Sequence, residues 1–341
     1  MRVVIAPDSF GGTLTSAEAA TAIADGWQRG APGHRLSTFP LADGGPGFAS
    51  VLLAALGARR VVTTVTGPLG DPVDAQWLIH EDVAYLESAE AIGLHLVPAD
   101  RRAESCETAT TRGVGELVLA ARDAGVSRVV IGLGGSATTD GGRGALEVLD
   151  GPLPELFAAA DVENPLLGPH GAAATFAPQK GADPAAVARL EARMAAWATE
   201  VATRFGRDPR DEPGAGAAGG LGFALMALGA AVLSGASVVR AATGLDDALD
   251  RADLVITGEG SFDWQSLRGK LVTSVASAAA DRGVPCVVLA GQVSVGRRQA
   301  GSVGVAETHS VADHAGSLDA AFADPIGTLS DLAEHVAQQW R

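Results

Sequence analysis

The stretch Arg128–Gly144, RVVIGLGGSATTDGGRG, decides the fold. Arg128–Leu133 is short, apolar and rich in β-branched residues, and it reads as a buried strand of a covered parallel sheet. The chain then turns through Gly134, Gly135, Ser136, Ala137, Thr138, Thr139, Asp140, Gly141 and Gly142, with a helix expected over 145–149. A strand running into glycines, hydroxyls and a helix start builds an anion site, because backbone N–H groups can approach an oxyanion closely there. Asp140 would repel a bare phosphate; it fits when Mg²⁺ or a substrate hydroxyl intervenes. The chemistry this suggests is phosphoryl transfer. A glycine-rich turn without a ligand is one alternative. A dinucleotide fingerprint on Gly132, Gly134 and Ala137 is another, weakened because no second parallel strand with an acidic end follows at the expected distance. A Walker loop is excluded, since the one Gly-Lys pair, Gly269-Lys270, is followed by leucine and lacks the upstream glycine.

Two more strands end the same way. Arg2–Ala6 runs into Pro7-Asp8-Ser9-Phe10-Gly11-Gly12, and Arg35–Leu41 into Asp43-Gly44-Gly45. Later, Leu254–Thr257 leads into Gly258-Glu259-Gly260-Ser261-Phe262-Asp263. Acids at the carboxyl ends of parallel strands are where open α/β sheets place ligands. Thr15–Glu18 predicts a capping box for a helix with Ala19, Ala20, Ile23 and Trp27 facing inward. Val61–Val65, Ala75–Ile79 and Val83–Glu87, separated by turns, predict an antiparallel meander. Helices are expected over 48–56, 116–124, 184–205, 223–233 and 326–340. Both chain ends alternate strand and helix. The expectation is therefore a two-domain α/β protein: a discontinuous Rossmann-like parallel-sheet domain from residues 1–62 and 250–341, and an inserted α/β domain, 63–249, carrying the GGSATTDGG loop.

The chain has 341 residues and a formal net charge of −15, which argues against nucleic acid or an anionic membrane as partner. The start has no signal-peptide pattern and no apolar run is long enough to span a bilayer, so a cytoplasmic enzyme is expected. Cys106 and Cys286 form no close-spaced motif. Nearly all basic residues are arginine; the only lysines are Lys180 and Lys270, each beside a glycine. A lysine kept in such a background is suited to serve as a compact point charge on a phosphate.

These motifs together resemble the type I glycerate kinase family. The matching stretches include IAPDSF, PLADGG, TGPLGDPV, IGLGGSATTDGG, NPLLGPHGA, FAPQKGA, GAGAAGGLG and DLVITGEGSFD, in order along the chain. The resemblance implies ATP-dependent phosphorylation of D-glycerate, at the 2-hydroxyl, with Mg²⁺, in a cleft between two α/β domains. Departures are Gly11 where the family has lysine, Pro46 for glutamate, Glu163 for threonine and Ser261 for arginine, with a shortened stretch after Leu149.

The resulting site expectation has Asp8 and Asp43 orienting or deprotonating the acceptor hydroxyl and Lys270 meeting the phosphates. Gly134, Gly135, Ser136, Thr138, Gly44 and Gly45 cradle phosphates, and Asp140 holds Mg²⁺. Ser9, Glu259, Asp263, Lys180 and Arg112 lie beside substrate or behind these groups. Partners are the small-molecule substrate and ATP, with the protein a monomer or homodimer. The rival readings are a non-catalytic binding protein for a hydroxy acid or nucleotide, and a kinase for another small hydroxy acid, both motivated by the missing lysine at position 11.

Overall fold

The computed structural model describes residues 1–267 and 271–341. Its strands, in chain order, are β1 (Arg2–Ile5), β2 (Arg35–Thr38), β3 (Arg59–Thr66), β4 (Pro72–His80), β5 (Val83–Glu87), β6 (Arg128–Gly132), β7 (Glu155–Ala159), β8 (Ala231–Leu233), β9 (Leu254–Thr257), β10 (Ser261–Phe262), β11 (Cys286–Ala290), β12 (Gln292–Val293) and β13 (Val305–Ser310). The chain divides into two compact units: Met1–Asp43 with Ala236–Arg341, and Gly44–Gly235.

The first unit is built on a five-stranded sheet in the order β13-β11-β9-β1-β2. Every pairing in it is parallel. The chain leaves β1 toward β2 on one side and returns to β9, β11 and β13 on the other. β1 and β9 therefore flank the point where the direction of winding reverses. Val3, Ile5, Leu254, Ile256, Val287 and Leu289 form the sheet's share of the core. The helix Ser16–Gly30 covers it and lies against Pro325–Gln339. That approach is so close that a Cβ on Gly26 would sit 1.9 Å from the Ser330 carbonyl oxygen.

The expected capping box is present: Glu18 N donates to Thr15 Oγ1 at 3.2 Å, and Thr15 N donates to Glu18 Oε2 at 2.8 Å. Thr15→Ala is expected to lower stability by about 1 kcal/mol, the usual cost of a lost N-cap. Chemical denaturation of the two proteins checks this.

The second unit carries a six-stranded sheet, β3-β4-β5-β6-β7-β8. β3, β4 and β5 form the expected antiparallel meander, and the sheet is parallel from β5 onward. β7 and β8 are additions to the sequence reading. The stretch expected as a helix over 223–233 is instead a helix, Ala217–Ala227, followed by β8. Gly229, at φ +94°, breaks the two apart.

The division also falls elsewhere than at residues 62 and 250. Residues 44–62 belong to the second unit because the helix Phe48–Leu56 packs on β4 and β5, and its N-terminus is held by Glu87. Residues 236–249 belong to the first, where Arg240 donates to Ser274 Oγ at 2.8 Å and to Asp246 Oδ1 at 2.6 Å.

Candidate active site

In the first unit the acids converge at the carboxyl ends of neighbouring strands. Asp8 follows β1, Asp43 follows β2, and Glu259 follows β9. Backbone bonds set their loops: Ala6 N donates to Ile256 O at 2.7 Å, Asp8 N to Gly258 O at 2.8 Å, and Leu41 N to Pro7 O at 3.0 Å. Thr257 Oγ1 donates to Ala6 O at 2.8 Å, tying β9 to the end of β1. Gly258 lets the loop after β9 pass β11, since a Cβ there would lie 2.1 Å from Leu289 O.

Asp8 is pushed up to about 7. Burial is the main cause, and the nearby Asp43 and Glu259 carboxylates add repulsion against a smaller opposing effect from Ser9 N, which donates to Asp8 Oδ1 at 2.6 Å. A carboxyl poised near neutrality beside like charges is the profile of a proton acceptor at work. Asp8, Ser9, Glu259 and Asp263 line one pocket of about 600 Å³. Asp263 Oδ1 also accepts from Gln265 N at 2.7 Å, which holds the turn after β10. Lys270 lies outside the described residues.

In the second unit the glycine-rich loop follows β6, as the strand pattern required. Gly44 and Gly45 lie against it. Gly134 N donates to Gly44 O at 3.0 Å, and a Cβ on Gly134 would lie 2.3 Å from Gly45 Cα. The Gly134 N–H, expected to face a phosphate, has the Gly44 carbonyl as its acceptor here. Gly135 remains exposed at the loop. Thr138, expected beside a phosphate, has a fully buried side chain whose Oγ1 donates to Ala218 O at 3.4 Å.

Lys180 lies beneath this loop rather than on a surface. Its ammonium is buried and donates to Thr138 O at 2.6 Å and to Ser136 Oγ at 3.1 Å. Burial pulls it down to about 7, opposed by the Asp140 carboxylate. Ser136 and Lys180 thus brace each other.

Asp140, expected to hold Mg²⁺, is hydrogen-bonded to nearby donors. Its Oδ2 accepts from Thr111 N at 2.9 Å, Thr111 Oγ1 at 2.8 Å and Gly144 N at 3.1 Å, and its Oδ1 accepts from Gly142 N at 3.0 Å. These bonds latch the loop to the start of the helix Arg112–Asp123. Burial raises its pKa, and those donors oppose the rise. Thr111 completes the latch by accepting from Ala145 N at 3.0 Å. The Arg112 side chain does not turn toward the loop; it follows its own helix to Glu116 Oε1 at 2.9 Å.

Two supporting residues were not picked out as such from the sequence. Glu87 is buried and accepts from Gly47 N at 3.2 Å and Ala49 N at 3.0 Å, so a carboxylate from the end of β5 caps the helix after Gly44-Gly45. Burial pushes it up to about 7 despite those donors. Gly219 passes the glycine-rich loop from behind: a Cβ there would stand 1.9 Å from Thr138 O, and its own carbonyl accepts from Gly141 N at 3.0 Å. The partner of this glycine run lies too far away in sequence to name.

A parallel sheet with acids at its switch point, and a braced glycine-rich loop after a parallel strand, define a small-molecule α/β enzyme of the phosphotransferase kind. The glycerate kinase family model matches residues 3–155 and 152–341. The chain belongs to the glycerate kinase family. It is 39% identical over 375 residues to the glycerate kinase of Bacillus subtilis (strain 168), covering 99% of this chain and 94% of the relative. It is 36% identical over 372 residues to the glycerate 2-kinase of Escherichia coli (strain K12), covering 99% and 97%. The crystal structure of "putative glycerate kinase 2" from Salmonella typhimurium LT2 matches with a TM-score of 0.80 at 34% identity, covering 100% of this chain and 98% of that one.

Among the described residues no helix is long and apolar enough to cross a membrane.

Proposed function

We propose that this protein transfers the γ-phosphoryl group of ATP to the 2-hydroxyl of D-glycerate. The observation that carries the reading is the Asp8 carboxyl, pushed up to about 7 at the switch point of a parallel sheet, in a chain of the glycerate kinase family. Asp8 accepts the hydroxyl proton as the oxygen attacks phosphorus. Asp43 shapes its basicity and, with Ser9, orients the acceptor. Gly135 and the backbone around Gly44-Gly45 are the parts of the glycine-rich surface assigned to phosphate oxygens. Lys180 is committed beneath its loop, so of the two lysines Lys270 is the one left to meet the phosphates. The enzyme acts in the cytoplasm, on small molecules, as a monomer or homodimer.

Mg²⁺ would enter as the counter-ion of the nucleotide and neutralise phosphate charge. Among the described residues no three ligating side chains are grouped for a metal. That suits an ion which reaches the site on phosphate oxygens and takes one or two carboxylates. Asp43 and Glu259 are the carboxylates assigned to it.

The second reading, another small hydroxy acid as acceptor or binding without transfer, is favoured by Gly11. That position is exposed, at φ +50°, and a Cβ there would meet nothing within 4 Å, where the family resemblance places a lysine. A coupled ADP-release assay with Mg-ATP separates the readings. Turnover with D-glycerate, and phosphate found on O2 of the product, is the expected result. Turnover only with another hydroxy acid moves the substrate, and ligand binding without ADP release overturns the kinase reading.

A further inference from the structure

The pocket beside Asp8 is too large and too apolar for a small hydroxy acid alone. It encloses about 600 Å³, in the range that holds a drug-sized or cofactor-sized ligand. From the strand ends come Asp8, Glu259 and Asp263; from the flanking segments come Leu14, Val311, Leu318, Ala321, Phe322 and Leu329. Gln265 and Gln292 add amide groups to the same wall.

The charge of this lining discriminates between the reactants. The charged residues among its described members are all acidic, and their mutual repulsion is already visible in Asp8. Away from the Asp8 end, where the acceptor hydroxyl and the transferred group meet, a carboxylate or polyphosphate would face no positive side chain among the described lining residues. The uncharged portion of the reactants is the nucleoside of the phosphoryl donor. Its ribose carries two hydroxyl donors suited to carboxylates, its base has edges that amides can read, and its faces are apolar.

Phe322 gives a second, independent observation. It is 56% exposed on the short helix Leu318–Ala323, and Leu318 on the same helix is 38% exposed. Two large apolar side chains left open at the wall of a pocket are not explained by the core, which they do not join. They are explained by a flat ligand that covers them.

We infer that this pocket of the first unit receives the adenosine moiety of the nucleotide, with its ribose toward Asp263 and Gln265 and its base against Leu318 and Phe322. The inference rests on the reading that a nucleotide is the phosphoryl donor, and it leaves the identity of the acceptor open. The phosphates extend from the ribose toward the Asp8 end of the pocket, where Mg²⁺ on Glu259 would offset the charge of the acids.

The test uses adenosine itself, which carries no phosphate. Isothermal titration calorimetry of the full-length protein is expected to detect adenosine binding. Phe322→Ser and Leu318→Asp are each expected to weaken it about tenfold or more, a change of about 1.4 kcal/mol, and to raise the KM for ATP alongside. The KM for the acceptor should move less than about twofold in the same variants, as for a group that contributes no acceptor binding. Because both side chains are exposed, thermal melts of the variants should match the parent protein. Adenosine binding that is unaffected by either substitution overturns the inference, as does a rise in acceptor KM with adenosine binding unchanged. Adenosine binding lost in the variants, in a protein that never turns over glycerate, would support the pocket while sinking the proposed acceptor.

Discussion

Asp8→Asn is expected to lower kcat by about 10²–10⁴-fold, the usual contribution of a positioned general base. Asparagine keeps the shape and can still accept from Ser9 N, but it cannot take a proton. The loss should therefore fall on kcat with the KM for ATP little changed, because the interaction removed is one made as the hydroxyl is deprotonated. The same substitution should make the folded protein more stable in neutral and alkaline solution. The Asp8 carboxyl has an ordinary value of 3.8 and is pushed up to about 7 in the fold by burial and by Asp43 and Glu259. A raised pKa means the native state binds the proton more tightly than the unfolded chain does, so stability is full below the ordinary value and is lost as pH rises through about 7. Asparagine carries no charge at any pH and escapes that loss. Thermal melts of the ligand-free proteins should diverge from acid to alkaline pH, with the variant the more stable above neutrality. A variant that keeps wild-type turnover would remove Asp8 from the chemistry. One that loses turnover while melting lower at every pH would recast Asp8 as structural.

That opposition between stability and activity explains why some of the site was legible in the sequence and some was not. The acids after β1, β2 and β9 could be read because an aspartate or glutamate between an apolar run and glycines serves no packing purpose. Local pattern was enough. It also sufficed for the strand β6, for the capping box at Thr15, and for the helices Phe48–Leu56 and Pro184–Phe205, whose observed bounds match those expected. It could not show partners that lie far away in sequence. Asp140 looks like a ligand in GGSATTDGG. Yet its carboxylate is taken up by backbone donors just beyond it, at Gly142 and Gly144, and by Thr111, which only the fold brings near. Lys180 reads from the sequence as a point charge for a phosphate, and its acceptors are residues 136 and 138, more than forty positions away. β7 and β8 escaped for a different reason. Glu155–Ala159 is hemmed in by breakers, and Ala231–Leu233 is three residues long and follows an apolar helix without a polar break. Neither has a period that distinguishes strand from helix.

The most damaging single methyl group should be the one in Gly219→Ala. The backbone there has φ +67°, and the added Cβ would stand 1.9 Å from the Thr138 carbonyl oxygen. The left-handed conformation costs an alanine roughly 1–2 kcal/mol, and overpacking against backbone adds roughly 1–3 more. A total of about 2–5 kcal/mol is a large share of the roughly 5–15 kcal/mol that holds an ordinary domain folded. The neighbouring backbone cannot yield cheaply, because it is pinned from the other side. Lys180 Nζ donates to that same Thr138 oxygen at 2.6 Å, Gly141 N donates to Gly219 O at 3.0 Å, and Trp197 Nε1 donates to Gly141 O at 3.0 Å. Gly229→Ala is the control. It also has positive φ, at +94°, but a Cβ added there would meet nothing within 4 Å. It should pay the conformational cost alone. Urea denaturation is expected to show Gly219→Ala losing at least about twice the stability lost by Gly229→Ala. At temperatures where both remain folded, only the former should also lose turnover, because moving Thr138 releases the Lys180 brace under the loop that carries Gly135 and Ser136. Equal destabilisation in the two variants would mean that the close approach of Gly219 to the loop does not exist in solution. Unequal destabilisation with turnover intact would leave the packing standing and remove the loop's geometry from catalysis.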